Sequence, residues 1–99
     1  MSKPTRFKPK AEKDFESILN WYSEINSLVA DKFCTEIDES LSIISQNPRI
    51  GASYKFKIRK YVLKNFPYII FYVAETHEII ILAIFHGLRN PEQMERDLK

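Results

Sequence analysis

The sequence has few of the residues that build common cofactor and metal sites. It contains only two glycines, Gly51 and Gly87, so it has no glycine-rich loop to hold a phosphate. Its one cysteine, Cys34, excludes an intramolecular disulfide. The two histidines and the cysteine lie too far apart for a zinc-ligand spacing, and no serine stands in a nucleophile elbow. We therefore expect no cofactor and no metal.

Long apolar segments are also missing. The longest uncharged apolar run, Ile79 to Phe85, is too short to cross a bilayer. The N-terminus MSKPTRFKPK lacks the apolar core of a signal peptide, and a single cysteine fits a reducing compartment. We expect a cytoplasmic protein without a membrane partner. With 99 residues, 44% of them hydrophobic, we expect one domain over residues 1–99 with a sufficient core.

Charge is unevenly distributed along the chain. Residues 14–46 contain seven acids against one base, Lys32, whereas residues 55–64 contain five bases and no acid. We call these five the basic segment: Lys55, Lys57, Arg59, Lys60 and Lys64. Such a segment can bind an anionic partner, either nucleic acid or an acidic protein segment. It can equally be a solvated strand face, and charge alone leaves both interpretations open.

The first half of the chain has a helical period. Apolar residues from Ala11 to Ile25 form one stripe, and a second stripe runs from Val29 to Ile44. We expect the first helix to end near Asn26 and Ser27 to cap the second. The second helix must stop before Pro48, because proline pushes the preceding residue out of helical geometry. Two helices with almost no loop form an antiparallel hairpin.

The remaining segments alternate as strands do. Tyr54, Phe56 and Ile58 predict a half-buried strand with a basic outer face, followed by a bulge or a change of sides after Arg59. The run from Ile79 to Phe85 predicts a central strand covered on both faces. The other predicted strands are Thr5–Lys8 and Phe66–Ala74, with turns at Asn65 and at residues 75–78. The predicted fold is α+β, in the order β-α-α-β-β-β, with a helical hairpin packed on a small, mainly antiparallel sheet.

His86 and Arg89 stand where the last strand ends. A histidine there can act as general acid or base, and an arginine can stabilise a charged phosphate. Alternatively, His86 binds backbone where strand and tail meet, and Arg89 pins the tail. The spacing leaves both readings open. Trp21 lies off the main helical stripe, where it can anchor a partner or flank the core.

Several stretches together resemble the RelE/ParE superfamily of toxins from bacterial type II toxin–antitoxin modules. The similarity covers nearly the whole chain and runs through KPKAEKDFESILNWY, NPRIG, KIRKYVLKNFPYIIFYV and EIIILAIFHGLRNP. Its most specific parts are the pattern Arg59…Phe66-Pro67-Tyr68…Tyr72 and the ending His86…Arg89…Pro91. The resemblance implies the same β-α-α-β-β-β order and a cognate antitoxin partner.

The resemblance allows two kinds of toxin. RelE-like members cleave mRNA on the ribosome without a metal, using the ribose 2′-hydroxyl as nucleophile. Cleavage needs a base, an acid and cations around the phosphate. If this chain is such a nuclease, the resemblance assigns these roles to His86, Arg89, Arg59 and Lys57. ParE-like members poison DNA gyrase as binding proteins, without chemistry of their own.

Two departures favour the ParE-like kind. Ile69 stands where a cleaving member has an arginine on its middle strand, and the tail has Glu95 near the position of an expected tyrosine. We therefore predict a ParE-like inhibitor of DNA gyrase that a cognate antitoxin neutralises. The predicted antitoxin- or target-binding residues are the basic segment with His86 and Arg89. The alternatives are a ribosome-dependent mRNA endonuclease and a degenerated chain that only binds its antitoxin.

Overall fold

Two helices pack on one face of a five-stranded sheet. The computed structural model of the chain describes residues 3–87 and Arg96; the predictions for Arg89, Pro91 and Glu95 lie outside these residues. The elements are β1 (Thr5–Phe7), α1 (Pro9–Ile25), α2 (Ser27–Gln46), β2 (Ala52–Lys55), β3 (Ile58–Val62), β4 (Tyr68–Ala74) and β5 (Ile79–His86). The α+β class and the helical hairpin are confirmed. No described helix is long and apolar enough to span a membrane.

A single asparagine joins the two helices. Asn26 ends α1 with an extended backbone, and its N–H donates to the carbonyl of Tyr22 at 2.8 Å. Its side chain then accepts a hydrogen bond of 2.9 Å from the backbone N–H of Leu28, which caps α2. The prediction of Ser27 as the cap is wrong, because Ser27 is already the first helical residue. The predicted stop before Pro48 is confirmed, since α2 ends at Gln46.

The sheet has the strand order β1-β5-β4-β3-β2. The last four strands are antiparallel neighbours, and β1 pairs in parallel with β5 through Thr5, Arg6 and Phe7. β5 therefore has a strand on each side, and most of its residues are buried. This confirms the prediction of a central strand over Ile79–His86.

The predicted strand through Tyr54, Phe56 and Ile58 is wrong. The chain turns at Phe56 and Lys57, so this segment forms the β2–β3 hairpin and the sheet gains a fifth strand. Phe56 has a positive φ of 51° and is fully exposed instead of facing the core. The predicted bulge after Arg59 is also wrong, because β3 pairs with β4 in regular register. The irregularity lies instead in β2, between Ser53 and Lys55.

The hydrophobic core lies between the helices and the sheet. Its centre is a group of rings in which Phe33 packs against Tyr22, Phe66 and Tyr68 with centroid distances of 5.4 to 5.8 Å. The fully buried strand residues Ile70, Tyr72, Ile79 and Ile81 complete this side. A second, smaller cluster on the opposite face of the sheet consists of Phe71, Ala83 and Phe85. β5 is thus buried on both faces, which explains its uninterrupted apolar sequence.

Candidate functional site

An irregularity in β5 decides which way His86 points. Phe71 pairs with Ala83 but the next residue, Tyr72, pairs with Ile81, so Leu82 is an extra residue in the strand. A one-residue insertion moves every following side chain to the other face of the sheet. Ile84 therefore joins the core under the helices together with Ile81. His86, two residues further on, also lies on the helix side.

This side of β5 forms one wall of an open groove. The groove has a volume of about 560 Å³ and lies between α1 and the ends of β4 and β5. It is lined by Asp14, Ser17, Ile18, Trp21, Tyr22, Pro67, Tyr68, Ile84 and His86. Most of this lining is apolar or aromatic, and Asp14, Ser17 and His86 supply polar groups. Aromatic walls with a few polar groups are typical of protein-binding and ligand-binding sites.

Trp21 is the most exposed aromatic side chain of the groove. Its relative exposure is 56%, and its ring meets the Tyr22 ring edge to face at a centroid distance of 5.0 Å. Of the two interpretations that the sequence left open, the structure places Trp21 on the surface beside the groove, where a partner can contact it. Exposed tryptophan and tyrosine side chains are enriched among the residues that dominate binding energy.

His86 is half-buried and packs on an aromatic neighbour. Its ring lies edge to face on the ring of Tyr68, with a centroid distance of 5.3 Å and an interplanar angle of 81°. The two residues are direct cross-strand partners. Arg89 is outside the described residues, so its predicted role beside His86 stays a prediction.

Asp14 lines the groove and binds the backbone of β5. One carboxylate oxygen accepts a 3.0 Å hydrogen bond from the backbone N–H of Ile84, and the other is paired with the ammonium group of Lys10. The Lys10 Nζ also lies 4.7 Å from the centroid of the Phe85 ring. Asp14 thus occupies a place where a neighbouring strand would otherwise pair, because β1 reaches only as far as Ile81.

The basic segment does not form one patch. Lys55 and Lys57 are exposed at the hairpin tip, and Lys64 is exposed in the loop beyond the other end of β3. Lys60 is half-buried, with its Nζ 5.9 Å from the centroid of the Tyr54 ring. Ile58 and Lys64 are six residues apart, so roughly 20 Å of extended chain separates the two exposed ends.

Arg59 is engaged within the fold. Its Nη1 donates to the carbonyl of Gly51 at 2.8 Å and reaches the carbonyl of Arg49 at 3.4 Å. These bonds tie β3 to the loop that follows α2. Arg59 therefore has a structural role, and within the described residues its hydrogen bonds are made by Nη1.

The described residues of the predicted nuclease set lie far apart. His86 is opposite Tyr68 at one end of β4, whereas Ile58, next to Lys57, is opposite Val73 near the other end. Five residues of extended chain correspond to roughly 17 Å along the strand, and β4 also separates β5 from β3.

Ile69 supplies no cation to this region. It pairs with Phe85 and packs against the small cluster on the outer face of the sheet. The middle strand therefore presents an apolar side chain at the place where a cleaving relative would have an arginine.

Comparison with known proteins decides the family. A family model described as "ParE toxin of type II toxin-antitoxin system, parDE" matches residues 5–91. The chain belongs to the ParE toxin family. The ParE-like branch favoured by the sequence is thereby confirmed, and with it the prediction of a type II toxin with a cognate antitoxin.

The structure agrees with this membership. The ParE-family toxin superposes on a solved structure described as "Chromosomal ParDE TA system from P. aeruginosa" with a TM-score of 0.73 and 25% identity. The match covers 86% of this chain and 96% of the other. No curated protein sequence matches the chain. The family model, which spans residues 5–91, includes both helices and all five strands from Thr5 to His86.

Two features of the toxin's surface did not emerge from sequence reasoning. Asp14 was one of the seven acids of residues 14–46, yet its spacing from Ala11 and Ile18 places it on the apolar stripe of α1. A carboxylate on an apolar stripe indicates that the fold provides it with a hydrogen-bond donor or a cation, as the Ile84 N–H and Lys10 do here. Phe56 was assigned to the core, and the two lysines beside it were the available sign of an exposed turn.

Proposed function

We propose that this toxin inhibits DNA gyrase by binding to it, without catalysing a reaction of its own. The supporting observation is the separation of the nuclease candidates. A base and an acid must each come within hydrogen-bond reach of the reacting atoms, and cations must surround the same phosphate. His86 and Lys57 lie near opposite ends of β4 instead, and Arg59 is bonded to the Gly51 carbonyl.

The proposed target surface combines exposed cations with the predicted tail contact. Lys55, Lys57 and Lys64 are exposed, and Arg89 stays in the set on the strength of the resemblance. Positive charge on a binding surface raises the rate of association with an acidic protein surface and makes it sensitive to salt. A toxin that acts on gyrase works in the cytoplasm, which agrees with the predicted localisation.

The antitoxin is proposed to dock in the groove beside α1. Trp21, Tyr22 and Tyr68 give the groove an aromatic wall, and an amphipathic helix can bury its apolar face against such a wall. Asp14 and His86 provide polar contacts near one end. The basic strand face, which the sequence offered to antitoxin and target alike, is left to the target in this proposal, and its Arg59 is hydrogen-bonded to the Gly51 carbonyl within the fold.

A paired assay tests the target. Purified toxin is added to gyrase in a DNA supercoiling reaction and, separately, to ribosomes translating a defined mRNA. We expect supercoiling to stop, the mRNA to stay intact, and addition of the antitoxin to restore supercoiling. The His86→Ala variant is included in both reactions. Cleavage of mRNA that disappears in His86→Ala, with gyrase unaffected by the wild type, would overturn the proposal and favour the endonuclease.

A further inference from the structure

At the tip of the β2–β3 hairpin, the backbone of Phe56 has a conformation that is unfavourable for a side chain of this size. Lys55 pairs with Ile58, so only Phe56 and Lys57 form the turn. The favoured two-residue hairpin turns have positive φ at one or both central residues, which glycine and asparagine adopt at low cost. Phe56 takes a φ of 51° in spite of its Cβ. A bulky side chain therefore occupies a backbone position that suits it poorly.

The Phe56 side chain contributes nothing to the core of the fold. Its relative exposure is 100%, whereas every other phenylalanine of the chain is buried or half-buried. An aromatic side chain in water loses the burial that normally stabilises it. Strained residues of this kind persist mainly at binding and catalytic sites. Phe56 therefore has the properties of a contact residue for another molecule.

The charges beside Phe56 indicate the chemistry of that molecule. Lys55 and Lys57 flank it and are both exposed, and no acid occurs between Glu39 and Glu75. An aromatic ring between two ammonium groups complements an apolar cleft with carboxylates around its rim. Among the described residues, β2 is the edge strand of the sheet, so the hairpin lies at the border of the sheet.

The hairpin tip is remote from the groove beside α1. The tip adjoins the Ile58–Val73 pair, and the groove contains the Tyr68–His86 pair at the other end of β4. Roughly 17 Å of strand and the width of β4 separate them. A helix bound in the groove would thus leave the tip uncovered, and the two surfaces can serve different partners.

We propose that the hairpin tip Lys55-Phe56-Lys57 inserts into the toxin's protein target, with Phe56 filling an apolar cleft that carboxylates surround. This inference rests on the proposed function only for the identity of the target. Phe56 is then the central contact, and the lysines orient the hairpin and increase the association rate. The antitoxin groove makes no direct contribution to this insertion.

The test variant is Phe56→Asn. Asparagine accepts positive φ, so this variant should fold at least as stably as the wild type while losing the ring. We expect the concentration for half-inhibition of gyrase to rise by about tenfold or more, as for other aromatic contact residues. Growth arrest on induction in cells should weaken in parallel. The matched control is Leu28→Asn. It replaces an apolar side chain of 68% exposure in the first turn of α2, and the variant should inhibit gyrase as strongly as the wild type.

Two binding measurements identify the partner of the tip. The Phe56→Asn variant should bind the antitoxin with the affinity of the wild type. A loss of antitoxin affinity as large as the loss of inhibition would overturn the inference, because the hairpin tip would then bind the antitoxin. The toxin alone is also tested for binding to single-stranded and duplex DNA. DNA binding by the wild type that is lost in Phe56→Asn would overturn the inference, because the hairpin tip would then bind nucleic acid. Lys57→Glu should weaken inhibition, and Lys32→Glu on α2 is its charge control.

Each possible failure has a distinct result. Phe56→Asn that inhibits gyrase and arrests growth like the wild type overturns the hairpin inference and leaves the proposed function intact. A wild type that arrests growth without inhibiting gyrase overturns the proposed function, and the growth assay of Phe56→Asn still tests the hairpin. A wild type that does neither overturns both.

Discussion

The backbone N–H of Gly51 donates a 2.9 Å hydrogen bond to the buried hydroxyl of Tyr72. The same hydroxyl donates to the carbonyl of Pro48 at 2.8 Å. Arg59, which is opposite Tyr72 on β3, binds the carbonyl of Gly51 from the other side. One phenol and one guanidinium thus hold the loop between α2 and β2 on the sheet, and they fix where the β2–β3 hairpin begins.

Tyr72→Phe should destabilise the protein by about 1–3 kcal/mol, because it leaves the Gly51 N–H and the Pro48 carbonyl without their partner. Urea unfolding of the variant measures this difference. Tyr54→Phe is the matched control, since within the described residues the Tyr54 hydroxyl makes no hydrogen bond. Equal effects in the two variants would contradict the role assigned to the Tyr72 hydroxyl.

We expect the buried Tyr72 hydroxyl to make the folded protein less stable at alkaline pH. Burial raises the pKa of its hydroxyl above the ordinary value of 10.0, and the Gly51 N–H and Arg59 oppose this rise. A raised pKa in the folded state means that the neutral hydroxyl stabilises the fold fully below the unfolded value. That contribution is lost as pH rises through the folded pKa.

The stability difference between wild type and Tyr72→Phe should therefore shrink above pH 10. Urea unfolding at a series of pH values from about 8 to 11 measures it, with Tyr54→Phe run in parallel. A difference that stays constant across this range would show that Tyr72 does not ionise differently in the folded and unfolded chains.

Gly51→Ala should destabilise the toxin by about 1–3 kcal/mol through overpacking. A Cβ at this position would lie 2.6 Å from the Tyr72 hydroxyl and 2.9 Å from the carbonyl of Lys60. Gly87→Ala is the control, because a Cβ there would lie 3.6 Å from the nearest atom of the described residues, the Pro67 carbonyl oxygen. Thermal and urea unfolding of both variants should show a loss of stability in Gly51→Ala alone.

Trp21→Ala should weaken antitoxin binding with little change in stability. The side chain is 56% exposed, so its removal opens no cavity in the core. An aromatic contact of this kind contributes about 2 kcal/mol or more, which corresponds to roughly a thirtyfold rise in Kd. Titration calorimetry with the purified antitoxin measures the change. Unchanged affinity in Trp21→Ala would place the antitoxin outside the groove, and Leu28→Ala is the exposed apolar control.

The sequence predicted those parts of the fold that local chemistry determines. The helices end where Asn26 and Pro48 require it, and β5 follows from seven consecutive apolar residues. The turn at Phe56 was not predicted because it contains neither glycine nor asparagine. In addition, apolar and basic residues alternate without interruption through the turn, as they would in one continuous strand.

The groove could not be predicted for a different reason. The extra residue at Leu82 turns His86 toward α1, and nothing in a uniformly apolar run marks which residue is inserted. The Asp14–Ile84 bond joins residues seventy positions apart, so only the assembled fold brings them together. Ile69, by contrast, was interpretable from the sequence, because its apolar character alone excludes a cationic role.

The carboxylate of Asp14 has a consequence for how the toxin avoids self-association. Within the part of the chain that the structure describes, β1 does not pair with β5 past Ile81, and unpaired backbone of a very apolar strand is a template on which other chains can add. Asp14 fills one of these pairing positions at Ile84 with a charged group that Lys10 neutralises within the same molecule. One acidic side chain on a helix thus occupies a backbone donor of β5 that a second chain would need in order to pair there.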